Sequence, residues 1–278
     1  MQLSNQEAKR LRARYGEWVL VTGASSGIGQ ELAKQFASTG FKVIITGRRE
    51  AVLEELATQW FMQYQAEVVP LVGDLSSPEQ VQALIEATRH LPIGIAVLNA
   101  GFGTSGPFLE ADLETEQNML ALNCGAVLTL SHHFAARMSQ VGKGSLVLMS
   151  SMVAFQGVPR AAHYAATKAY VQTLGEALAL ELKGKGVDVL CAAPGPVASG
   201  FSARADMQMG RTLSPEQVGV PIIRAIGRRS TTLPGFLTKF LVYNLRLLPR
   251  WTKVRIMGQV MGGFTQHQQA GTDPAETK

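Results

Sequence analysis

Two side chains in the second half of the sequence could together move a proton. Tyr164 and Lys168 are four residues apart in a segment with helical periodicity, so both project from one face of a helix. A lysine ammonium beside a phenol favours the phenolate and lowers the phenol pKa from about 10. Such a tyrosine can exchange a proton with a carbonyl or alcohol oxygen. The pair predicts acid–base chemistry, although the same spacing also occurs in surface pairs without function.

A serine hydroxyl precedes this pair by thirteen residues. Ser151 follows the apolar run 145–149, which is typical of a buried strand. Ligands of parallel sheets bind at the carboxyl ends of the strands, so Ser151 is expected beside a substrate. Ser150 is a neighbouring hydroxyl, and the spacing to Tyr164 favours Ser151.

A glycine-rich turn near the amino terminus could hold a phosphate. The sequence is Thr22-Gly-Ala-Ser-Ser-Gly-Ile-Gly29, between a short apolar strand and a helix. Glycines permit a tight turn and a close approach of the backbone to a pyrophosphate, and the following helix supplies amide donors. The alternative is a glycine-rich turn without a ligand. The candidate contacts are Gly23, Ser25, Ser26, Gly27, Ile28 and Gly29.

The end of the second strand indicates which dinucleotide would bind. An NAD site usually has an acidic residue there for the ribose 2′-hydroxyl. Here the sequence is Thr46-Gly-Arg-Arg49, without an acid. Arg48 and Arg49 could hold a 2′-phosphate through charge-assisted hydrogen bonds. This favours NADP(H) over NAD(H), and the alternative is that both arginines are solvated surface residues.

Strand-like and helix-like segments alternate along the chain and would position these groups. This alternation predicts an α/β fold with a doubly wound parallel sheet and helices on both faces. Continuous apolar strands fit a sheet that is covered on both sides. The predicted strands are 18–21, 42–46, 67–71, 95–98, 145–149 and 187–192, and the predicted helices are 30–38, 51–64, 78–89, 112–140 and 161–183.

Composition limits the other possibilities. The 278 residues, 46% hydrophobic and 17% charged, suit one domain with a large core and exclude global disorder. The two cysteines, Cys124 and Cys191, rule out a disulfide framework, and the histidines lack metal-ligand spacing. We expect a cytoplasmic protein without a metal, because residues 1–15 lack a signal sequence and no apolar run reaches about 18 residues.

The positive charge is concentrated near the carboxyl terminus. Residues 217–271 contain eight cations and no acid, which leaves −3 for the rest of a chain whose net charge is +5. Residues 236–257 are basic and amphipathic, and Pro249 divides them into two helices. They could lie on an anionic membrane surface, cap the sheet or contact another subunit. Nucleic acid is excluded as a partner because no recognition motif accompanies the charge.

Taken together, the motifs resemble the compact single-domain branch of the short-chain dehydrogenase/reductase family over about residues 16–200. The glycine turn is similar to the family's cofactor turn, and Asn99-Ala-Gly101 is similar to the segment that supports the fourth strand. The resemblance implies a Rossmann-type fold, a catalytic tetrad and further cofactor contacts. The tetrad would be Asn123, Ser151, Tyr164 and Lys168, and the further contacts Asp74, Asn99, Pro194, Gly195, Val197 and Ser199.

The family's roles transfer to this sequence as expectations. Tyr164 would be the general acid in reduction, and Ser151 would bind the substrate oxygen. Lys168 would hold the nicotinamide ribose and lower the Tyr164 pKa, while Asn123 would hold a water that refills the proton. Val197 would bind the carboxamide through its backbone. At position 199 the family often has threonine, and Ser199 keeps the hydroxyl.

The resemblance implies an NADPH-dependent carbonyl reductase that forms a homodimer or homotetramer. A lid over residues 201–212 and apolar loop residues favour an apolar ketone or 3-oxoacyl substrate, unless these residues only pack the loops. The apolar loop residues are Phe102, Phe108, Met152, Val153, Phe155 and Val158. A non-catalytic NADP(H)-binding regulator and a nucleotide-sugar epimerase or dehydratase are the alternatives. The expected organisation is a basic segment 1–15, a catalytic domain 16–233, an extension 234–263 and a flexible tail 264–278.

Overall fold

The centre of the fold is a seven-stranded parallel sheet. It is seen in a computed structural model that describes residues 2–210 and 212–268. The strand order is β3-β2-β1-β4-β5-β6-β7, so the winding direction reverses between β1 and β4. The strands are β1 (Trp18–Thr22), β2 (Lys42–Gly47), β3 (Val68–Val72), β4 (Ile93–Leu98), β5 (Gly144–Met149), β6 (Val187–Ala192) and β7 (Thr231–Thr232). The predicted doubly wound sheet is confirmed.

Helices cover both faces of this sheet. The helices in the described residues are α1 (Asn5–Tyr15), α2 (Gly27–Ala37), α3 (Glu50–Tyr64), α4 (Pro78–Ala87), α5 (Leu113–Leu120), α6 (Val127–Val141), α7 (Ala162–Glu181), α8 (Gly200–Arg204), α9 (Pro215–Ala225), α10 (Phe236–Arg246) and α11 (Arg250–Phe264). Those predicted from the sequence up to residue 183 are found, with boundaries that differ by a few residues.

The apolar strands form the core because alternate side chains point to opposite faces. In β1, Val19 and Val21 join one buried cluster with Phe36 of α2, and Leu20 joins the other with Phe134 of α6. Strands β1 and β2 are in register up to their ends, where Thr22 pairs with Thr46. The glycine turn after β1 and the arginines after β2 therefore emerge at the same edge of the sheet.

The helix predicted over 112–140 is interrupted. Between α5 and α6, residues Ala121–Ala126 form a π-helical turn, which carries Asn123. Such turns often occur at functional sites. The segment Leu113–Val141 is long and apolar enough to cross a membrane by length and composition. An 18-residue window within it has a mean hydropathy of 1.2, but half of this window is buried inside the protein.

The basic amino-terminal segment forms helix α1, which the sequence analysis did not predict. Ser4 caps it by accepting a hydrogen bond from the Glu7 backbone N–H. Leu11 and Tyr15 are buried in the core beneath the sheet, and the Tyr15 hydroxyl donates to Asp188 Oδ2 at 2.6 Å. The segment is therefore part of the folded domain.

The carboxyl-terminal extension forms two helices, α10 and α11, that meet at Pro249, as predicted. Residues 264–268 were predicted to belong to a flexible tail, but they pack on the folded domain. Thr265 is fully buried, and Gln268 Nε2 donates to the Asp206 carbonyl at 2.8 Å. Residues 269–278 of the predicted tail lie outside the described residues.

Candidate active site

The candidate site lies where the strand order reverses, at the carboxyl ends of β1 and β4. Open parallel sheets bind ligands at such a point because the loops on either side diverge. The groove here is lined by the segments that follow β1, β2, β3 and β4. The sequence-predicted residues Gly23, Ser25, Arg48, Asp74 and Asn99 all line this groove.

The glycine turn is pinned to the end of β4. Asn99 Nδ2 donates to the Thr22 carbonyl at 2.9 Å, and the Thr22 hydroxyl accepts from the Asn99 and Ala100 backbone N–H groups. A Cβ atom at Gly29 would overlap the Gly23 carbonyl and the Asn99 amide, so only glycine fits there. Ser26, which precedes α2, makes no side-chain capping bond. The first turn of α2, with Gly27, Ile28 and Gly29, thus suits an anionic group.

Three arginines line the adjoining part of the groove. Arg48 Nη1 lies 3.4 Å from Asp74 Oδ2, and Arg49 Nη2 donates to the Ser25 carbonyl at 2.9 Å. Arg204 of α8 comes from the lid. Burial lowers the pKa of Arg204, and the charges of Arg48 and Arg49 lower it further, so the cations are close in space. Sequence analysis missed Arg204, because only the folded lid brings it to the groove.

Asp74 remains ionised in this setting. Burial by itself would raise the pKa of its carboxyl, but hydrogen bonds from Ser76 and the charge of Arg48 hold the pKa below its usual value. Asp74 thus partly compensates the arginine charge.

Ser151, Tyr164 and Lys168 are brought together and are all buried. Ser151 begins the turn Met152–Phe155 after β5, and the Tyr164 side chain is hydrogen bonded to it. Lys168 Nζ donates to the Met149 carbonyl at 2.9 Å, and the Ser150 hydroxyl donates to the Lys168 carbonyl at 3.1 Å. Ser150 is therefore used to fix α7 against β5, and Ser151 faces Tyr164.

Asn123 clamps the loop after β4 to the same site. Its Oδ1 accepts from the Phe102 backbone N–H at 3.1 Å, and its Nδ2 donates to the Phe102 carbonyl at 2.8 Å and to Thr167 Oγ1 at 3.0 Å. A Cβ at Gly101 would lie 2.8 Å from Asn123 Oδ1 and 3.4 Å from Lys168 Nζ. Asn123 and Lys168 therefore flank the backbone of Gly101.

Comparison with known proteins agrees with this geometry. Residues 17–209 match the family described as short chain dehydrogenase. The chain belongs to this family. It is an NAD(P)-dependent oxidoreductase that acts on CH–OH or C=O groups.

The alignments with known relatives cover most of this chain. A 7beta-hydroxysteroid dehydrogenase of Clostridium sardiniense is 30% identical over 232 residues, which are 82% of this chain and 89% of that protein. A very-long-chain 3-oxoacyl-CoA reductase of Neurospora crassa is 32% identical over 185 residues, 65% of this chain and 56% of that longer protein. The solved structure of a short-chain dehydrogenase from Sphingobium yanoikuyae in complex with NADPH has a TM-score of 0.76 at 26% identity, over 94% of this chain and 98% of that one.

In this short-chain dehydrogenase, the loop after β6 lies next to the glycine turn. The Pro194 carbonyl accepts from the Met152 backbone N–H at 3.0 Å, which ties the loop to the segment after Ser151. Val197 pairs with Leu213 in an isolated bridge. A Cβ at Gly27 would lie 3.0 Å from the Ser199 side chain, so Ser199 borders the glycine turn. At Gly195 an added Cβ would meet the Thr238 hydroxyl of α10 at 2.5 Å.

Burial reverses the expected direction of the Tyr164 pKa. The predicted lowering of the pKa is not found, because burial raises the pKa of Tyr164 to about 12, although the hydrogen bond with Ser151 opposes this. Burial also lowers the pKa of Lys168 to about 8. The phenol is thus protonated at neutral pH, the form in which it can donate a proton.

A cluster of apolar side chains surrounds the Tyr164 ring, which lies 5.2 Å from the ring of Phe201 in the lid. The buried and half-buried members of this cluster are Phe102, Met119, Val153, Val158, Ala161, Ala165, Phe201, Met207, Leu245, Met257, Met261 and Phe264. Met152 and Phe155 join a second cluster with Val242 of α10. Phe108, although predicted for this site, is 66% exposed and belongs to neither cluster. Sequence analysis missed the contributions of α10 and α11.

The charge of Lys168 predicts an unusual dependence of stability on pH. A lysine with a folded-state pKa of about 8 against 10.5 binds fewer protons when folded, so its burial destabilises the fold below pH 8 and ceases to do so towards pH 10.5. Lys168→Met should therefore raise the free energy of unfolding at pH 7, by up to about 3 kcal/mol, and less at pH 9.5. Urea denaturation at both pH values measures this.

The exposed Lys143→Met is the matched control, and its effect should be equal at the two pH values. A Lys168→Met variant less stable than the parent at pH 7 would show that the bond to Met149 outweighs the cost of burying the charge.

Proposed function

We propose that this short-chain dehydrogenase is an NADPH-dependent reductase of large apolar ketones or 3-oxoacyl groups. The observation that carries the proposal is the buried group of Ser151, Tyr164 and Lys168 beside an apolar cluster to which α11 contributes Met257 and Met261. The relatives' names mention a hydroxysteroid and a very-long-chain 3-oxoacyl group, both of them large and mostly apolar. Side chains of this composition favour such a group over a sugar or a polyanion.

The residues around the groove fit an NADP(H) molecule. The uncapped first turn of α2 would hold the pyrophosphate, with Gly23, Ser25 and Ser26 before it. Arg48, Arg49 and Arg204 would hold the 2′-phosphate, since a guanidinium binds phosphate in a planar, bidentate manner. Asp74 and Asn99 would contact the adenosine half, and Pro194, Gly195, Val197 and Ser199 the nicotinamide half. When bound, this cofactor supplies a hydride.

Each group of the buried cluster has a part in the proposed reduction. The Tyr164 hydroxyl, protonated at neutral pH, donates its proton to the carbonyl oxygen of the substrate. The Ser151 hydroxyl donates a hydrogen bond to the same oxygen and stabilises the charge that develops there. The Lys168 ammonium stabilises the phenolate left on Tyr164 and contacts the nicotinamide ribose. Asn123 fixes the backbone next to Lys168 and holds the water that returns the proton.

Two other functions fit the site less well. A non-catalytic NADP(H)-binding regulator needs no buried acid–base pair, whereas this chain has one. A nucleotide-sugar epimerase or dehydratase would need a larger polar substrate domain, whereas the segment after the lid forms two apolar-faced helices. Turnover of NADPH with a panel of ketones graded in size distinguishes these three functions.

We also propose a homo-oligomer that forms through α5, α6 and α7. Large apolar side chains on these helices are exposed in the single chain: Leu120, Leu128, Tyr170 and Leu180. Exposed apolar groups of this size on neighbouring helices are typical of subunit interfaces. This surface does not include the carboxyl-terminal helices. The compartment of the protein stays a prediction.

Removing the Tyr164 hydroxyl should abolish most of the activity without weakening NADPH binding. Tyr164→Phe keeps the ring and its packing on Phe201 but has no proton to give, so the reduction rate should fall ~10²-fold or more. NADPH binding, followed by fluorescence titration, should change little. Tyr170→Phe on the same helix is the matched control and should keep full activity. Parental activity in the Tyr164→Phe variant would remove Tyr164 from the mechanism.

The arginine groove predicts selective binding of the 2′-phosphate. Arg48→Asp should weaken NADPH by about 1.5–3 kcal/mol, the value of a charge-assisted hydrogen bond, while NADH binding stays the same or improves. Calorimetric titration of the parent and the variant with both nucleotides measures this. If the parent binds NADH and NADPH equally, the proposed selectivity is refuted.

Arg204 lies in the lid, and like Arg48 it should strengthen the binding of NADPH relative to NADH. Arg204→Gln should reduce the affinity for NADPH about tenfold and leave that for NADH unchanged, because only NADPH carries the extra phosphate. Arg89→Gln removes an arginine that is exposed outside the groove and serves as the control. An equal loss for both nucleotides would show that Arg204 only shapes the lid.

A further inference from the structure

A stripe of large apolar side chains runs along the outer face of α10. Phe236, Phe240, Tyr243 and Leu247 follow each other at intervals of four, three and four residues, so they lie on one side of the helix. Their side chains are 84%, 54%, 56% and 85% exposed. Trp251, at the start of α11, extends the stripe and is 62% exposed. We call these five residues the α10 stripe.

Only cations accompany the α10 stripe. Lys239, Arg246, Arg250 and Arg255 are exposed beside it, and residues 217–271 contain neither aspartate nor glutamate. Within the described part of the chain, these four cations take part in no ion pair. The Arg255 guanidinium lies over the Trp251 ring, 5.1 Å from its centroid. The stripe is therefore bordered by uncompensated positive charge.

The opposite face of α10 is firmly attached to the fold. Val242 is buried with Met152, Ala193 and Leu233, next to the segment that follows Ser151. Arg246 also lies over the Phe155 ring at 5.7 Å. Because the inner face already has its apolar partners, the exposed stripe is not the face that holds the helix on the protein.

We propose that the α10 stripe binds the surface of an anionic lipid bilayer. Aromatic and leucine side chains on one side of a helix, bordered by lysine and arginine, are typical of helices that lie in the membrane interface. The cations would interact with acidic headgroups, and each exposed cation near such a surface strengthens binding about fivefold. The two helices have 11 and 15 residues and are too short to span the hydrocarbon core.

The charges argue against a second copy of the chain as the occupant. A two-fold contact through this stripe would bring the same patch of both subunits together. Lys239 and Arg246 of one copy would then face cations of the other without an acid to compensate them. An anionic bilayer supplies the missing negative charge, and the surface on α5, α6 and α7 remains open to a partner subunit.

Lipid binding at this position would place the proposed substrate site near the bilayer. Helices α10 and α11 contribute Leu245, Met257 and Met261 to the apolar cluster around Tyr164, on the side opposite to lipid. Apolar substrates concentrate in membranes, so a reductase docked in this way would meet them there. This consequence rests on the proposed function, whereas the lipid binding itself does not.

Sedimentation of the full chain with vesicles tests the proposal. Vesicles of phosphatidylcholine alone are compared with vesicles that also contain phosphatidylserine, at low and high salt. We expect binding to the anionic vesicles and loss of most of it at high salt, because exposed charges are screened. Equal binding to both vesicle types, or no binding to either, would overturn the proposal.

A pair of matched variants locates the binding surface. Phe240→Ser and Phe61→Ser make the same change at side chains that are both 54% exposed, the first on the α10 stripe and the second on α3. Phe240→Ser should weaken binding to anionic vesicles at least fivefold, and Phe61→Ser should leave it unchanged. Equal binding by both variants would overturn the assignment to α10.

Charge and subunit contacts are tested separately. Arg250→Gln should weaken binding about fivefold, whereas Arg89→Gln, an exposed site on another surface, should not. Light scattering without lipid should give the same mass for the parent and Phe240→Ser. A mass that falls in the variant would show that a second copy covers the stripe. Because none of these measurements uses turnover, a failed lipid result and a failed reductase assay are distinguishable.

Discussion

The geometry of the candidate site depends on how a buried ammonium group is held. Lys168 Nζ donates to the carbonyl of Met149, the last residue of β5, and the Lys168 carbonyl in turn accepts from Ser150. These reciprocal bonds hold α7 to the end of β5, so Tyr164, one turn earlier on the helix, is fixed against Ser151. A buried charge is tolerated only where such a partner exists, and the Met149 carbonyl provides that partner at the end of β5.

Much of the fold follows from local sequence. Apolar runs and their glycine or serine boundaries predict the strands and the first residues of the helices, since these patterns depend on neighbours in the chain. The spacing along the chain also predicts Ser151, Tyr164 and Lys168 as a group, whereas Asn123 was predicted only from the resemblance to the family. Helix α1 was missed because its polar, basic residues outnumber the few that it buries, such as Leu11. The π-helical turn around Asn123 was missed because it depends on the loop at Phe102, 21 residues away.

Properties that depend on burial could not be predicted from the sequence. The spacing of Tyr164 and Lys168 suggests an attractive pair, but it does not show how much of the chain covers both groups. Once α11 and the lid pack over them, exclusion of water costs the phenolate more than the hydrogen bond with Ser151 offsets, and both groups move towards their neutral forms. Arg204 is a similar case, because its place beside Arg48 depends on the path of the lid between β6 and α9.

The contacts around the Tyr164 cluster show which part of its cover is held more firmly. Met257 and Met261 of α11 are buried against Tyr164 and its neighbours, so moving that helix would expose a large apolar surface. The lid contributes the half-buried Phe201 and Met207 to the same cluster. It is further tied to residues 267–268 by exposed polar contacts, namely His267 Nε2 with Asp206 Oδ1 at 2.9 Å and Gln268 with the Asp206 carbonyl. Such contacts contribute about 0–1 kcal/mol each in water. Displacement of the lid would therefore expose less buried apolar surface than displacement of α11.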